Sequence, residues 1–184
     1  MGTLYKNYTK ANAINVDPGY GKDAWLLPVS WIDTFAEVVG TAAVGNSVTI
    51  DDSHVLLTNK GAIKVYVIPK TTEGDGEVIG DQLGKKFAWK PKIIIPGDNP
   101  QVYEMVKNAI NEDMVLFVKD SQCGTSQFVQ FGCDCDPCNV ETGSFKSGTS
   151  GTGRKQYELT FLAYCKFFYN GVLTELDPDV EEEL

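Results

Sequence analysis

The sequence has one histidine, His54, among 184 residues. Catalysis by an imidazole beside an activated nucleophile therefore has one candidate base, and no Gly-x-Ser-x-Gly elbow accompanies it. The apolar Val55 and Leu56 follow His54 in a strand-like segment, so it reads as a structural or surface residue. Paired carboxylates hydrolyse glycosides without histidine. The acids here instead gather in turns (Asp51, Asp52; Glu73, Asp75, Asp81) or at the C-terminal end, and no EF-hand loop pattern surrounds them. Residues 148–153 are glycine-rich, but they lack the Gly-Lys-Ser/Thr ending of a phosphate loop and lead into a strand pattern instead of a helix. Apolar runs of membrane-spanning length are absent, and residues 1–11 lack the apolar core of a secretion signal. The expectation is a soluble, non-enzymatic product made in the cytoplasm, with no cofactor and no membrane partner.

Basic residues are also few. Lys and Arg number 16 against 25 Asp and Glu, a formal charge of −9. Residues 175–184 hold six of those acids (Glu175, Asp177, Asp179, Glu181, Glu182, Glu183) and no base, which leaves the rest at about −3. Such a tail reads as solvated. A protein that wraps nucleic acid is basic. An acidic wall instead lets DNA slide past without sticking.

Five cysteines are present, Cys123, Cys133, Cys135, Cys138 and Cys165. The Cys135/Cys138 pair has zinc-ligand spacing, but no second such pair exists to complete a tetrahedral site. A thioredoxin-type role needs a βαβ setting that the pattern lacks. Metal ligation, disulfide pairing and a plain turn of small residues all stay open for Cys133, Cys135 and Cys138.

Strand patterns dominate what is present. Residues 25–35 form an apolar run with Pro28 inside it, predicting an edge strand or a bulge. Residues 47–51 and 54–58 read as two short strands joined by a polar turn, and residues 63–68 as a third. Residues 71–84 are Gly-rich and acidic and read as a loop. Residues 85–96 alternate, with Phe87, Trp89, Ile93 and Ile95 on one face and Lys86, Lys90 and Lys92 on the other. The one helix runs from about Asn99 to Asn111. Asn99 or Asp98 caps it, Pro100 starts it, and Val102, Met105, Val106, Ala109 and Ile110 make one stripe. Residues 114–119 and 127–131 are two more strands, joined by a turn at residues 120–125. From Tyr157 the odd positions are apolar through Tyr169, so residues 155–169 read as one long strand. Asn170-Gly171 is a hairpin signal with residues 172–176 as the return strand. The fold class is mainly β, a sandwich or barrel with one flanking helix. Residues 1–23 read as an extended arm, 24–175 as a single domain and 176–184 as the acidic tail.

The order of elements across roughly residues 80–175 resembles phage tail tube proteins, especially those of phages of Bacteroidetes-type hosts. The resemblance rests on a strand followed by Ile95-Pro96-Gly97-Asp98 and an amphipathic helix, then two strands ending in Gly132. After these come the Gly-rich loop and Gly153-Arg154-Lys155-Gln156-Tyr157-Glu158-Leu159-Thr160-Phe161. It implies a non-enzymatic virion protein that assembles into hexameric rings stacked as a tube. Its partners would be further copies of itself and other tail proteins such as tape measure and terminator. Genomic DNA would pass through without sequence-specific binding. On that reading Gln156, Glu158 and Thr160 face the lumen, and a loop over residues 144–154, with Gly148, Gly151, Gly153 and Arg154, locks against a neighbour. The lysines on the wet face of residues 85–96 would attract DNA unless they pair with acids. A terminator, neck or tail-tip protein on the same fold, or a ligand-binding or adhesin-like β-sandwich, is the alternative.

Overall fold

The computed structural model describes residues 20–69, 71–120, 127–148 and 153–176. In chain order these form β1 (Tyr20–Pro28), β2 (Ile32–Thr34), β3 (Thr49–Ile50), β4 (Val55–Leu56), β5 (Ile63–Tyr66), β6 (Glu73–Ile79) and β7 (Lys86–Pro96). They continue with α1 (Pro100–Ala109), β8 (Met114–Asp120), β9 (Phe128–Phe131), β10 (Asn139–Lys146), β11 (Gln156–Leu162) and β12 (Lys166–Tyr169). The protein is mainly β, with one α-helix among the described residues.

Two segments are apolar at nearly every position, Ala24-Trp25-Leu26-Leu27 in β1 and Met114-Val115-Leu116-Phe117-Val118 in β8. Strands of this kind are buried on both faces. They pair antiparallel with each other inside a six-stranded sheet of order β3-β12-β9-β8-β1-β5. Ala24, Leu26, Leu116 and Val118 point into a core shared with Ile93, Ile95, Tyr157, Leu159 and Phe161 of a four-stranded sheet, order β10-β11-β7-β6. Trp25, Leu27, Val115 and Phe117 point the opposite way, into a second core with Trp31, Ile50 and Tyr169. Burying a side chain of this size stabilises by about 1.5–3 kcal/mol. The six-stranded sheet is therefore the central layer, with a core on each face.

The helix forms where the sequence places it. The Asn99 side chain accepts from the Val102 N–H at 2.9 Å, and Pro100 takes the first helical position. Val106 and Ala109 are buried in the first core, with Val102 and Met105 packed against it.

Several expectations are corrected. Pro28 does not mark an edge: β1 lies between β8 and β5, and Pro28 is its last residue, where a 3-10 turn (Val29–Trp31) takes over and no ladder donor is needed. Residues 20–23, expected as part of an extended arm, belong to β1, where Tyr20 pairs with Asp120; residues 1–19 lie outside the described residues. Residues 71–84 contain a full strand, β6. Its glycines serve close approach: a Cβ on Gly74 would meet the Tyr20 ring at 2.6 Å and one on Gly76 the Trp89 ring at 2.5 Å. β10 was not expected at all. β3 and β4 do not pair with each other; β3 joins β12 and β4 joins β2.

The long strand of residues 155–169 is two strands in two sheets. β11 lies in the four-stranded sheet and β12 in the six-stranded sheet, with the change at residues 163–165. Odd residues of β11 face the first core, whereas Phe167 and Tyr169 of β12 face the second. An unbroken alternation of apolar residues thus conceals a switch of sheet and of core. Asn170-Gly171 makes no hairpin either. Asn170 donates to the Ile50 carbonyl at 2.8 Å, and Glu175 bridges Ala62 in parallel. Glu175 is no free part of an acidic tail, since it accepts from Trp25 Nε1 at 2.9 Å and from Lys64 Nζ at 3.1 Å.

Candidate assembly surface

The two most strongly alternating strands of the sequence, β7 and β11, pair with each other. Directly opposed residues of antiparallel strands share a face. Gln156, Glu158 and Thr160 lie opposite Pro96, Ile94 and Lys92, so they share the face of Lys86, Lys90 and Lys92. On β6 that face carries Glu73, Asp75 and Glu77; on β10 it carries Thr142, Ser144 and Lys146. The opposite residues of β11 (Tyr157, Leu159, Phe161) are buried. The sheet thus has one apolar face on the core and, directed away from it, a face that is mostly polar, with Ala88 and Ile94 buried among its charged side chains.

Charge on the polar face is nearly balanced. Lys90 Nζ lies 3.2 Å from Glu77 and 3.8 Å from Glu141. The hydrogen bond to Glu77 leads in pushing the Lys90 pKa up, with the Glu141 charge adding to it. Glu158 accepts from Lys146, and from Gln156 Nε2 at 2.8 Å. The Lys146 contact leads in holding the Glu158 carboxyl below the usual carboxylate range. With Glu141, five acids stand against Lys86, Lys90, Lys92 and Lys146. Of the lysines anticipated as a DNA-attracting stripe, Lys90 is paired with acids, Lys92 stands opposite Glu73 on β6, and Lys86 lies over the Tyr164 ring.

β10 and β6 are the two outer strands of this sheet. The three acids of β6 discourage indiscriminate pairing along its edge. On the core side of that edge Val78 and its partner Phe87 are 57% and 49% exposed, with Phe87 stacked on Trp89 at 5.1 Å. At the β10 edge an open groove of about 400 Å³ runs between the sheet and α1. Tyr103, Val106, Ile110, Val140, Phe145 and Leu159 supply its apolar lining.

The loop connecting β10 to β11, expected to start at residue 144, starts later, because β10 runs to Lys146. Gly148 has φ +74°, and a Cβ there would meet the Gly153 backbone at 2.6 Å. The two glycines therefore close the root of the connection. Gly153 and Arg154 are exposed, and Gly151 lies outside the described residues. The next residue anchors the far side: Lys155 Nζ sits 2.8 Å from Asp98, and the Gly97 N–H donates to the Lys155 carbonyl at 2.9 Å.

His54 is far from this surface and buried. Its Nδ1 accepts from the Ala36 N–H at 2.9 Å, which leaves Nε2–H to donate to Gln130 Oε1 at 3.0 Å. Burial lowers its pKa, and the Gln130 bond opposes this. It is a neutral structural imidazole with no nucleophile among these contacts. Gln130 carried a sequence signal as the lone polar residue of the apolar Phe128-Val129-Gln130-Phe131.

The cysteines divide. Cys138 is buried, and burial pushes its thiol well up, while Cys135 is exposed. The Cys135/Cys138 pair therefore does not present two sulfurs to one ion. Among the described residues no group of three or more His, Cys, Asp or Glu side chains is arranged to hold a metal. Cys133 Sγ instead lies 2.8 Å from Cys165 Sγ, 32 residues away along the chain. Cys123 lies outside the described residues. Among the described residues no helix is long and apolar enough to cross a membrane. No protein-family model, curated protein or solved structure matches the chain.

Proposed function

We propose that this protein is a structural subunit of a phage tail tube, assembling through the four-stranded sheet into rings that stack around a DNA channel. The observation that carries the reading is the sheet itself. Each of β10, β11, β7 and β6 runs antiparallel to the next. β6 of one copy can therefore meet β10 of the next antiparallel, and the up-down order continues unbroken around a closed ring. Closure removes both open edges, the standing hazard of an exposed sheet. The apolar face of each sheet stays on its own core, and the polar face, with Gln156, Glu158 and Thr160, turns to the lumen. A lumen of nearly balanced, internally paired charge suits passage without sticking. In this arrangement Gly148, Gly153 and Arg154, at one end of the sheet, face an adjacent ring. Hexameric closure and the partnership with tape measure and terminator proteins come from the family resemblance.

Negative-stain electron microscopy of the purified protein tests this. Rings or hollow tubes are expected; a protein that remains monomeric at high concentration would overturn the reading. A second reading is favoured by the groove beside α1, whose size and apolar lining suit a small ligand. A monomer that binds apolar ligands there would be a binding β-sandwich instead.

A further inference from the structure

Chain path and sulfur positions together point to a redox site. β9 belongs to the six-stranded sheet; the chain then leaves it, runs through β10 and β11 in the other sheet, and returns at β12. Gly132 is the first residue out and Cys133 the second; Cys165 is the last residue before β12. Exit and return meet: the Gly132 N–H donates to the Cys165 carbonyl at 3.1 Å, and the two sulfurs stand 2.8 Å apart. Cys133 and Cys165 are both half-buried, so a small oxidant reaches them, whereas the buried Cys138 is withdrawn.

We propose that Cys133 and Cys165 form a redox-active dithiol whose oxidation closes a disulfide across the root of the β10–β11 hairpin. The oxidant is a peroxide or a low-molecular-weight disulfide. With hydrogen peroxide, the sulfur of Cys133 displaces hydroxide from the O–O bond to give a sulfenic acid. Cys165 then attacks that sulfur, forming the S–S bond. Both thiol protons leave and the peroxide is reduced to two waters. With oxidised glutathione, two successive exchanges give the same bond and two molecules of reduced glutathione. Burial pushes the Cys165 thiol up, which favours Cys133 as the first nucleophile; attack by Cys165 first would give the same bond.

The consequence is mechanical. The disulfide would make the whole β10–β11 excursion a covalent loop fixed to the central sheet at a single point. That excursion carries an outer strand of the four-stranded sheet, so its outward fraying is suppressed. Closing a loop of this length stabilises a fold mainly by restricting the unfolded chain, and for a domain of this size the melting temperature rises by roughly 5–10 °C.

The test uses the full chain, purified reduced and then treated with hydrogen peroxide or oxidised glutathione under native conditions. The expected product is an intact mass lower by two hydrogen atoms and a proteolytic peptide pair linking Cys133 to Cys165. Both revert with a reductant. Cys135→Ser should form the same link and Cys165→Ser should not. Native protein that keeps all its thiols after treatment, or a link from Cys135 or Cys123 in its place, would overturn the proposal. The linked peptide pair of the wild-type protein decides the point should a variant fail to fold, and the result does not depend on whether the protein forms tubes.

Discussion

His54 and Gln130 form a buried polar chain beside the aromatic side chains of the second core. The imidazole sits against Phe35, Phe117 and Tyr169, and Gln130 Nε2 donates onward to the Gly132 carbonyl at 3.0 Å. Each polar atom along the chain is satisfied only while the ring is neutral, because Nδ1 must accept. The folded pKa lies below the ordinary 6.5, so the unfolded chain takes up the proton first as pH falls. This part of the stability is complete well above pH 6.5 and drains away as pH falls through 6.5 and then through the folded pKa. Urea unfolding midpoints should decline between about pH 7.5 and pH 5.5, above the range of the carboxylates. His54→Gln should flatten that decline; an equal slope in the variant would mean that other groups carry it. The sequence left the single histidine as structural or surface; its burial and its partners came only with the tertiary structure. Ala36, Gln130 and Tyr169 are brought to it from distant parts of the chain.

Elements whose signals are local were read correctly. The helix has its cap, its proline and its apolar stripe within a dozen residues, and Asn99→Ala should cost about 1 kcal/mol in chemical denaturation with the fold retained. Where an element depends on a distant contact, the reading failed. β6 looks like a loop because Gly74 and Gly76 have poor strand propensity, yet they are the residues that let Tyr20 and Trp89 lie flat on the strand. Gly76→Val should therefore destabilise strongly, by about 2 kcal/mol or more, although valine is the better strand former. A rise in the unfolding midpoint would show that the aromatic contact does not govern this strand. β7 was read correctly as alternating, though Pro91 sits inside it. Pro91 pairs with Gly74 of β6, and the ladder to β11 lapses at the proline before Trp89 meets Ala163.

For the whole molecule, the proposed tube makes the hairpin and its neighbouring strand edge the parts that matter. Deleting residues 148–153 should leave the circular dichroism spectrum of the subunit unchanged and abolish long tubes. Normal tubes from that variant would refute the loop's role in stacking while leaving ring closure untouched. Glu158→Lys removes the partner of Lys146 and unbalances the polar face. Tubes of that variant should retain DNA at low salt and release it as salt is raised, as read by co-sedimentation.

The sequence by itself determined the local facts: a mainly β chain, one capped helix, and alternating dry and wet faces over residues 85–96 and 156–162. These follow from period, caps and composition, which act over a few residues. Only the tertiary structure decided which strands share a sheet. It split the apparent strand of residues 155–169 between two sheets and set acids beside Lys90. It also brought Cys133 to Cys165 and not to the Cys135/Cys138 pair. Pairing partners and register are fixed by contacts between distant segments, and an alternating pattern looks the same whether a strand continues or crosses to another sheet.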